Sequence, residues 1–322
     1  MAIQTEIEYE DLTGLWADLE SGLGLILSHP TSTREFAKRV EQYDRWMQSL
    51  LRRDPDVGLY LLFQLACNSP EGYSASHALV CAVLCHLMAH EQQLPPSERD
   101  SLVRAAMTMN VGMTALQDAL AKQAEKPTAA QQEQIRAHPS AGAVMLAHLG
   151  IADSVWLDIV AHHHDGDALH KKTAIPAELE HLVTALQLVD RYAAMISPRV
   201  SRSGKNASES ARALLAGGSP CAADTLAKSL VQVVGLYPPG TYTRMDNDDL
   251  AVVLRRSYQH NNPYVALIGK PAEERPGLPR LHNTADSPPR IQSALAASAV
   301  RARVNHFHIL GLGAFASPRK AD

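Results

Sequence analysis

No stretch of this 322-residue sequence approaches the roughly 18 uncharged apolar residues that a membrane-spanning helix requires. The opening residues, MAIQTEIEYEDL, are acidic and lack the apolar segment of a secretory signal. A basic excess is missing too. The formal net charge is −4 and the isoelectric point about 6.4, so the global positive field of a nucleic-acid binder is absent. A local basic pocket for a phosphate remains compatible with an acidic chain. The 4 cysteines, Cys67, Cys81, Cys85 and Cys221, include no CxxC pair. Cys81 and Cys85 share an apolar run at helical spacing, which suits buried thiols on one helix face better than a disulfide framework. No internal repeat is visible. These absences describe a reduced, cytoplasmic chain with no membrane or nucleic-acid partner.

What is present is helix. Hydrophobic residues make up 46% and charged residues 20% of the chain, the balance of an ordinary globular protein. Leu12, Leu15, Trp16 and Leu19 recur at helical spacing, as do Val40, Tyr43, Trp46, Met47 and Leu50. Ser32 and Glu35 have the spacing of a capping box for the second of these helices. DVGLYLLFQLAC and SASHALVCAVLCHLMAH continue the pattern, the latter with a broad apolar face. Ser97 is positioned to cap SERDSLVRAAMTMNVGM. TAAQQEQIRAHPSAGAVMLAHLG reads as two helices broken near Pro139, SVWLDIVAHHH as another, and 175–196 as one more with Pro176 in its first turn. After Leu236 the character changes: TYTRM, LAVVL and YVALIGK are separated by turn residues, a hairpin with a third strand. Residues 271–290 are rich in Pro, Arg and Gly and read as a linker, with SALAASAVRARVN a last helix. The expected fold is mainly α with a small C-terminal β appendage. The segments are 1–72, an N-terminal helical segment; 73–235, a helical domain; 236–270, a small β subdomain; and 271–322, a linker and tail.

The 15 histidines are unevenly spread. His77, His138, His162, His163 and His164 lie in or beside apolar helices, with Asp190 as an acidic companion. Adjacent residues on a helix point about 100° apart. At most two of the consecutive histidines can therefore face one metal ion, and other ligands must come from separate helices. A solvated cap at a helix C-terminus is the competing reading, because histidine there suits the helix dipole.

Five stretches, in this order, carry a resemblance: SASHALV around His77, AMTMNVGM at 106–113, His138-Pro139, DIVAHHHD at 158–165, and LVDRYAAM around Asp190. Over residues 73–240 the set resembles the HD-GYP group of HD-superfamily metal phosphohydrolases, bacterial enzymes that hydrolyse cyclic di-GMP. GLYPPGTYTRM resembles the β appendage that follows the domain in many of them. The resemblance implies an HD-type helical bundle with His77, His138, His163, His164 and Asp190 as metal ligands. It sets Asp165 where the family has Glu, and leaves His162 outside the ligand set.

The departures are specific. Met109-Asn110 stand where the family has its His-Asp dyad, Met113 where it has a phosphate-facing Lys, and the Gly-Tyr-Pro loop is absent after Asp165. Two-metal phosphodiester hydrolysis needs a bridging carboxylate. Asn110 is a poor bridge, and Met109 is a soft donor where iron or manganese prefers imidazole or carboxylate. His138 with His163 and His164 could still hold one divalent ion (Fe or Mn), while His77 and Asp190 alone are too few for a second. A hydrogen-bonded polar core without metal is the other outcome. Arg191, Arg199, Lys171 and Lys172 keep binding of an anionic nucleotide open. The expected function is a degenerate HD-GYP-type signalling protein with lost or weak phosphodiesterase activity that binds cyclic di-GMP, another nucleotide or signalling proteins. The alternatives are an active phosphohydrolase with a rearranged metal site and a pure interaction scaffold.

Overall fold

In the computed structural model the described residues are 2–68, 72–165, 175–202, 204–216, 221–257, 259, 261–270, 278–300 and 304–315. The fold is mainly helical, with a small C-terminal antiparallel sheet. Three helices come first: α1 (Ala2–Ser28), α2 (Phe36–Arg53) and α3 (Pro55–Asn68). Then follow α4 (Tyr73–Glu91), α5 (Pro96–Thr108), α6 (Thr114–Lys122), α7 (Ala129–His148), α8 (Ser154–His162) and α9 (Glu180–Ile196). Helices α10 (Ala207–Leu215) and α11 (Cys221–Val234) lead into the sheet, and α12 (His306–Phe315) follows it.

The centre of the bundle is α4. Its residues from Tyr73 to Cys85 are buried without interruption, and it packs against α1, α3, α5, α9 and α11. A helix apolar all round must be enclosed by others, which is why SASHALVCAVLCHLMAH shows no polar face. One core cluster runs from Leu12 and Trp16 on α1 to Ile309 and Leu310 on α12.

The strands are β1 (Tyr242–Met245), β2 (Leu250–Arg255), β3 (Tyr264–Gly269), β4 (Arg280–Asn283) and β5 (Ile291–Leu295), ordered β4-β3-β2-β1-β5. Every pairing is antiparallel. Side chains alternate along the central strand. Leu250, Val252 and Leu254 join the helical core, whereas Ala251 and Val253 pack with Met245 and Val265 on the far face. A buried ion cluster ties sheet to bundle. Asp54 accepts from the backbone N–H groups of Asp56 and Val57 at the start of α3 and pairs with Arg255 of β2. Arg255 also donates to Gly313 O at 2.6 Å, and Arg256 donates to Asp56.

Several local expectations are corrected. Ser32 lies in a 3₁₀ turn (Pro30–Ser32) and Glu35 is left-handed, with φ 52° and no capping bond. No capping box forms there. Ser97 falls inside the first turn of α5, because Pro96 already occupies its first position. That helix ends at Thr108 instead of continuing to Met113: Asn110 is non-helical and Val111–Met113 is a separate 3₁₀ turn. Pro176 opens a turn closed by Leu179 N–H, and α9 starts later, at Glu180. Within 278–300, expected as linker and helix, two strands form instead. These are the two edges of the sheet, partly exposed. Edge strands are held by backbone pairing on one side, so they need little of the apolar alternation that marks a strand in sequence.

Most consequential is Pro139, which does not break its helix: α7 runs unbroken from Ala129 to His148. Thr128 and Gln131 form a capping box at its start. Proline lacks the N–H that would bond the carbonyl four residues earlier, which is Ile135 O. The neighbouring His138 ring donates to that oxygen instead, through Nδ1 at 2.6 Å.

Candidate metal centre

Four helices bring the histidines and the aspartate together. His77 is on α4, His138 on α7, His163 and His164 leave the end of α8, and Asp190 is on α9. His138, His163 and His164 form one group whose ligand atoms all lie within 4.8 Å of one another. His77 and Asp190 form a second, and Cys81 completes it. The groups adjoin, since His164 Nε2 lies 4.0 Å from Asp190 Oδ2. His162 belongs to neither: its Nδ1 pairs with Asp165 Oδ2 at 2.9 Å. Gln187 Nε2 on α9 donates to the carbonyls of His162 and Asp165, fixing the end of α8.

Hydrogen bonds settle the tautomers of His138 and His163 in the first group. His138 Nδ1 faces Ile135 O, and His163 Nδ1 faces Val160 O at 2.7 Å. A carbonyl only accepts, so each Nδ1 carries the proton and each neutral ring keeps its lone pair on Nε2. Those two Nε2 atoms are 3.1 Å apart. Facing lone pairs repel unless a proton or a cation lies between them. Burial, followed by the neighbouring His164 and His138 rings, pushes His163 protonation well below the usual histidine range. A proton is therefore disfavoured, and the donor set fits a divalent cation held by imidazole.

The second group is closed by contrast. His77 Nε2 lies 2.7 Å from Asp190 Oδ1, and Tyr73 stacks on the His77 ring. Burial alone would raise the Asp190 carboxyl. The His77 hydrogen bond and the neighbouring His77, His164 and His163 rings outweigh it and hold the group below the usual carboxylate range. Arg199 donates to Tyr73 OH at 3.0 Å, so its guanidinium is committed to that ring. Lys171 and Lys172 lie outside the described residues.

Met109 is buried in the core. With Asn110, Ser74, Ala78 and Gln117 it lines a void of about 10 Å³. Asn110 Oδ1 is buried with no hydrogen-bond partner among the described residues. Met113 lines an open groove of about 400 Å³ that reaches His138. Gly112 lets this segment press against α7: a Cβ there would meet His138 O at 3.0 Å and Gly142 N at 3.1 Å.

Sequence reasoning missed two features. One is Cys81, whose signal was its place one helical turn after His77, on the same face. The other is the effect of Pro139 on His138, legible only in the adjacency of the two residues.

No family model matches the chain. Over 202 residues it is 27% identical to a Pseudomonas aeruginosa protein named as a cyclic di-GMP phosphodiesterase. That match covers 61% of this chain and 48% of the relative, so the chain spans about half the length of the curated protein it resembles.

Proposed function

We propose that this is a cyclic di-GMP signalling protein of HD-GYP type that binds the nucleotide and has lost, or nearly lost, its hydrolysis. The convergence of His138, His163 and His164 beside His77 and Asp190 carries the reading. Those are the residues the HD-type resemblance selects, gathered from four separate helices. The name of the P. aeruginosa relative supports the same ligand.

His138, His163 and His164 would hold one divalent ion, which supplies Lewis-acid polarisation of a phosphate oxygen when bound. The chain's own contribution is to fix the His138 and His163 imidazoles through backbone carbonyls and to keep their protons on Nδ1. Loss of hydrolysis follows from Met109 and Asn110. Neither supplies the anionic bridge that a two-metal displacement uses, and no hydrogen bond joins Asn110 Oδ1 to either imidazole group among the described residues. The scaffold alternative predicts a broad exposed apolar face on the N-terminal helices. Among the described residues of α1–α3, Leu25 is the exposed large apolar side chain, which offers that reading little support.

The test is a pair of measurements on protein purified without chelator. Cyclic di-GMP is titrated by calorimetry, and its linear products are quantified by chromatography with Mn²⁺ or Fe²⁺ beside a His163→Ala control. Binding with little or no turnover is expected. Turnover that vanishes in the control would replace this reading with an active phosphohydrolase. Absence of binding would return the scaffold.

A further inference from the structure

We propose that a recess between α3, the turn from α9 into α10 and the start of β1 is a binding site for a small monocarboxylate with an apolar body. The recess has a volume of about 130 Å³ and opens to solvent on one side. A closed cavity of about 150 Å³ accepts a benzene ring, so the space suits a ligand of benzoate size with its charged end toward the mouth. None of the residues that line it belongs to either histidine group.

The polar lining suits an anion. Thr241, just before β1, lines the recess and is only 7% exposed, and its Oγ1 has no hydrogen-bond partner among the described residues. A buried hydroxyl left unpaired is costly, and an acceptor arriving with a ligand would satisfy it. Lys205 lines the same recess, half-buried, and no ion pair engages it among the described residues. Asn206 and Ala207 complete this side and open α10, where Asn206 Oδ1 accepts from Glu209 N–H at 2.8 Å. The first-turn N–H groups that remain leave the positive end of the helix facing an anion. The Glu209 carboxylate is turned to the backbone N–H of Asn206, and no carboxylate belongs to the lining. A hydroxyl, an ammonium and a helix N-terminus are all donors, which a carboxylate can accept from together.

The rest of the lining selects the body of the ligand. Phe63, Ile196 and Leu295 give the recess an apolar wall, which a small hydrated anion such as phosphate would leave unfilled. Those walls are preformed. Gln64 Nε2 donates to Gly240 O at 2.5 Å and ties α3 to the approach to β1. Gly240 has φ 88°, and a Cβ there would meet Tyr60 O at 2.8 Å, so only glycine lets this turn press on α3. On the other side Lys205 N–H donates to Met195 O at 2.8 Å, folding the turn back on the end of α9. A pocket fixed in this way needs little reordering to bind, and a few polar groups in an apolar lining are the usual make-up of a small-molecule site. The proposal does not rest on nucleotide binding.

Benzoate is the probe, with benzyl alcohol as its uncharged counterpart and inorganic phosphate as the plain anion. Each is titrated into the metal-stripped full chain, so that a carboxylate cannot bind through an ion, and binding is read by saturation-transfer NMR. Benzoate is expected to bind, benzyl alcohol to bind about tenfold more weakly or less, and phosphate at equal concentration to leave benzoate in place. Lys205→Met and Thr241→Val should each weaken benzoate about tenfold, with circular dichroism unchanged. Lys205 is half-buried, so its variant keeps the test decisive if Thr241→Val fails to fold. Absence of benzoate binding, or binding unaltered by Lys205→Met, would overturn the site. Benzyl alcohol binding as tightly as benzoate would overturn the carboxylate class, and displacement by phosphate would overturn the requirement for an apolar body.

Discussion

Replacing Pro139 with alanine isolates the way His138 is held. Proline frees Ile135 O within the helix, and His138 Nδ1 donates to it at 2.6 Å. Alanine would return a backbone N–H to the same oxygen. The carbonyl would then divide between two donors, weakening the bond that keeps the ring proton on Nδ1. A hydrogen bond of this kind contributes about 0.5–1.5 kcal/mol. Losing about 1.4 kcal/mol of tautomer preference lowers metal affinity about tenfold, the low end of what outer partners of metal-bound histidines are worth. Stability should barely follow. The restored backbone bond adds about 1 kcal/mol, while the freer unfolded chain of an alanine variant removes about 0.4–1 kcal/mol. The assay is Zn²⁺ affinity by competition with a chelating dye, beside thermal unfolding of the metal-free protein. The expected pair is a tenfold weaker affinity and a Tm nearly unchanged. Unaltered affinity would refute the tautomer argument, and a large fall in Tm would show that the proline serves the helix and not the ring.

Three other perturbations separate the supports of the fold. Arg255→Met takes the guanidinium away from the buried Asp54 carboxylate and leaves Asp56 to Arg256 at the joint of α3 and β2. It should cost about 3–5 kcal/mol and lower Tm by about 6–10 °C for a chain of this size; a shift under about 2 °C would show that the pair is dispensable. Gly112→Ala places a Cβ against the His138 and Gly142 backbone and should cost about 1–3 kcal/mol. Unlike the Pro139 variant, it should lower Tm and metal affinity together, which paired melts and titrations would reveal. His86 is buried on α4 against His90, near the charges of Arg99, Asp100 and Arg52, and its pKa is pushed down to about 3, chiefly by burial. Its folded value lies below its unfolded one, so the neutral ring's contribution is complete above pH 6.5 and is lost as pH falls toward 3. The slope is about 1.4 kcal/mol per pH unit, or about 2 kcal/mol between pH 7 and pH 5. Urea unfolding of a His86→Leu variant should lack that slope; an equal slope would assign it elsewhere.

Much of the bundle was legible because buried helices write their periodicity openly. The residues of α1, α2 and α4 that repeat at helical spacing are those that fill the core. What escaped was decided by side-chain partners that periodicity does not record. Pro139 reads as a helix breaker until a histidine ring is found on the carbonyl it frees. Strands β4 and β5 carry little apolar alternation because each pairs along a single edge. The candidate centre divides in the same way. His77, His138, His163, His164 and Asp190 could be selected through ordered motifs, since each motif keeps its own element. Cys81 left only its place one helical turn after His77, inside an apolar run. Only the approach of α9 to α4 sets its sulfur beside the His77–Asp190 pair.

The substitutions around the centre favour one direction of change. On the proposed reading, Met109 and Asn110 take away an imidazole and a bridging carboxylate. Hydrolysis by two ions depends on a shared anionic ligand that holds them close and clamps the reacting oxygens between them. On that reading the first group retains three imidazoles, and His77 with Asp190 is a closed hydrogen-bonded pair. Loaded with a divalent ion, the first group would keep the full positive charge of that ion. One such ion beside a closed pair would not reproduce a dinuclear hydrolase. It would leave one cationic point, buried at His138 and His163 and reached through the partly exposed His164, suited to an anionic phosphate. Nucleotide binding would then persist on a scaffold that no longer hydrolyses.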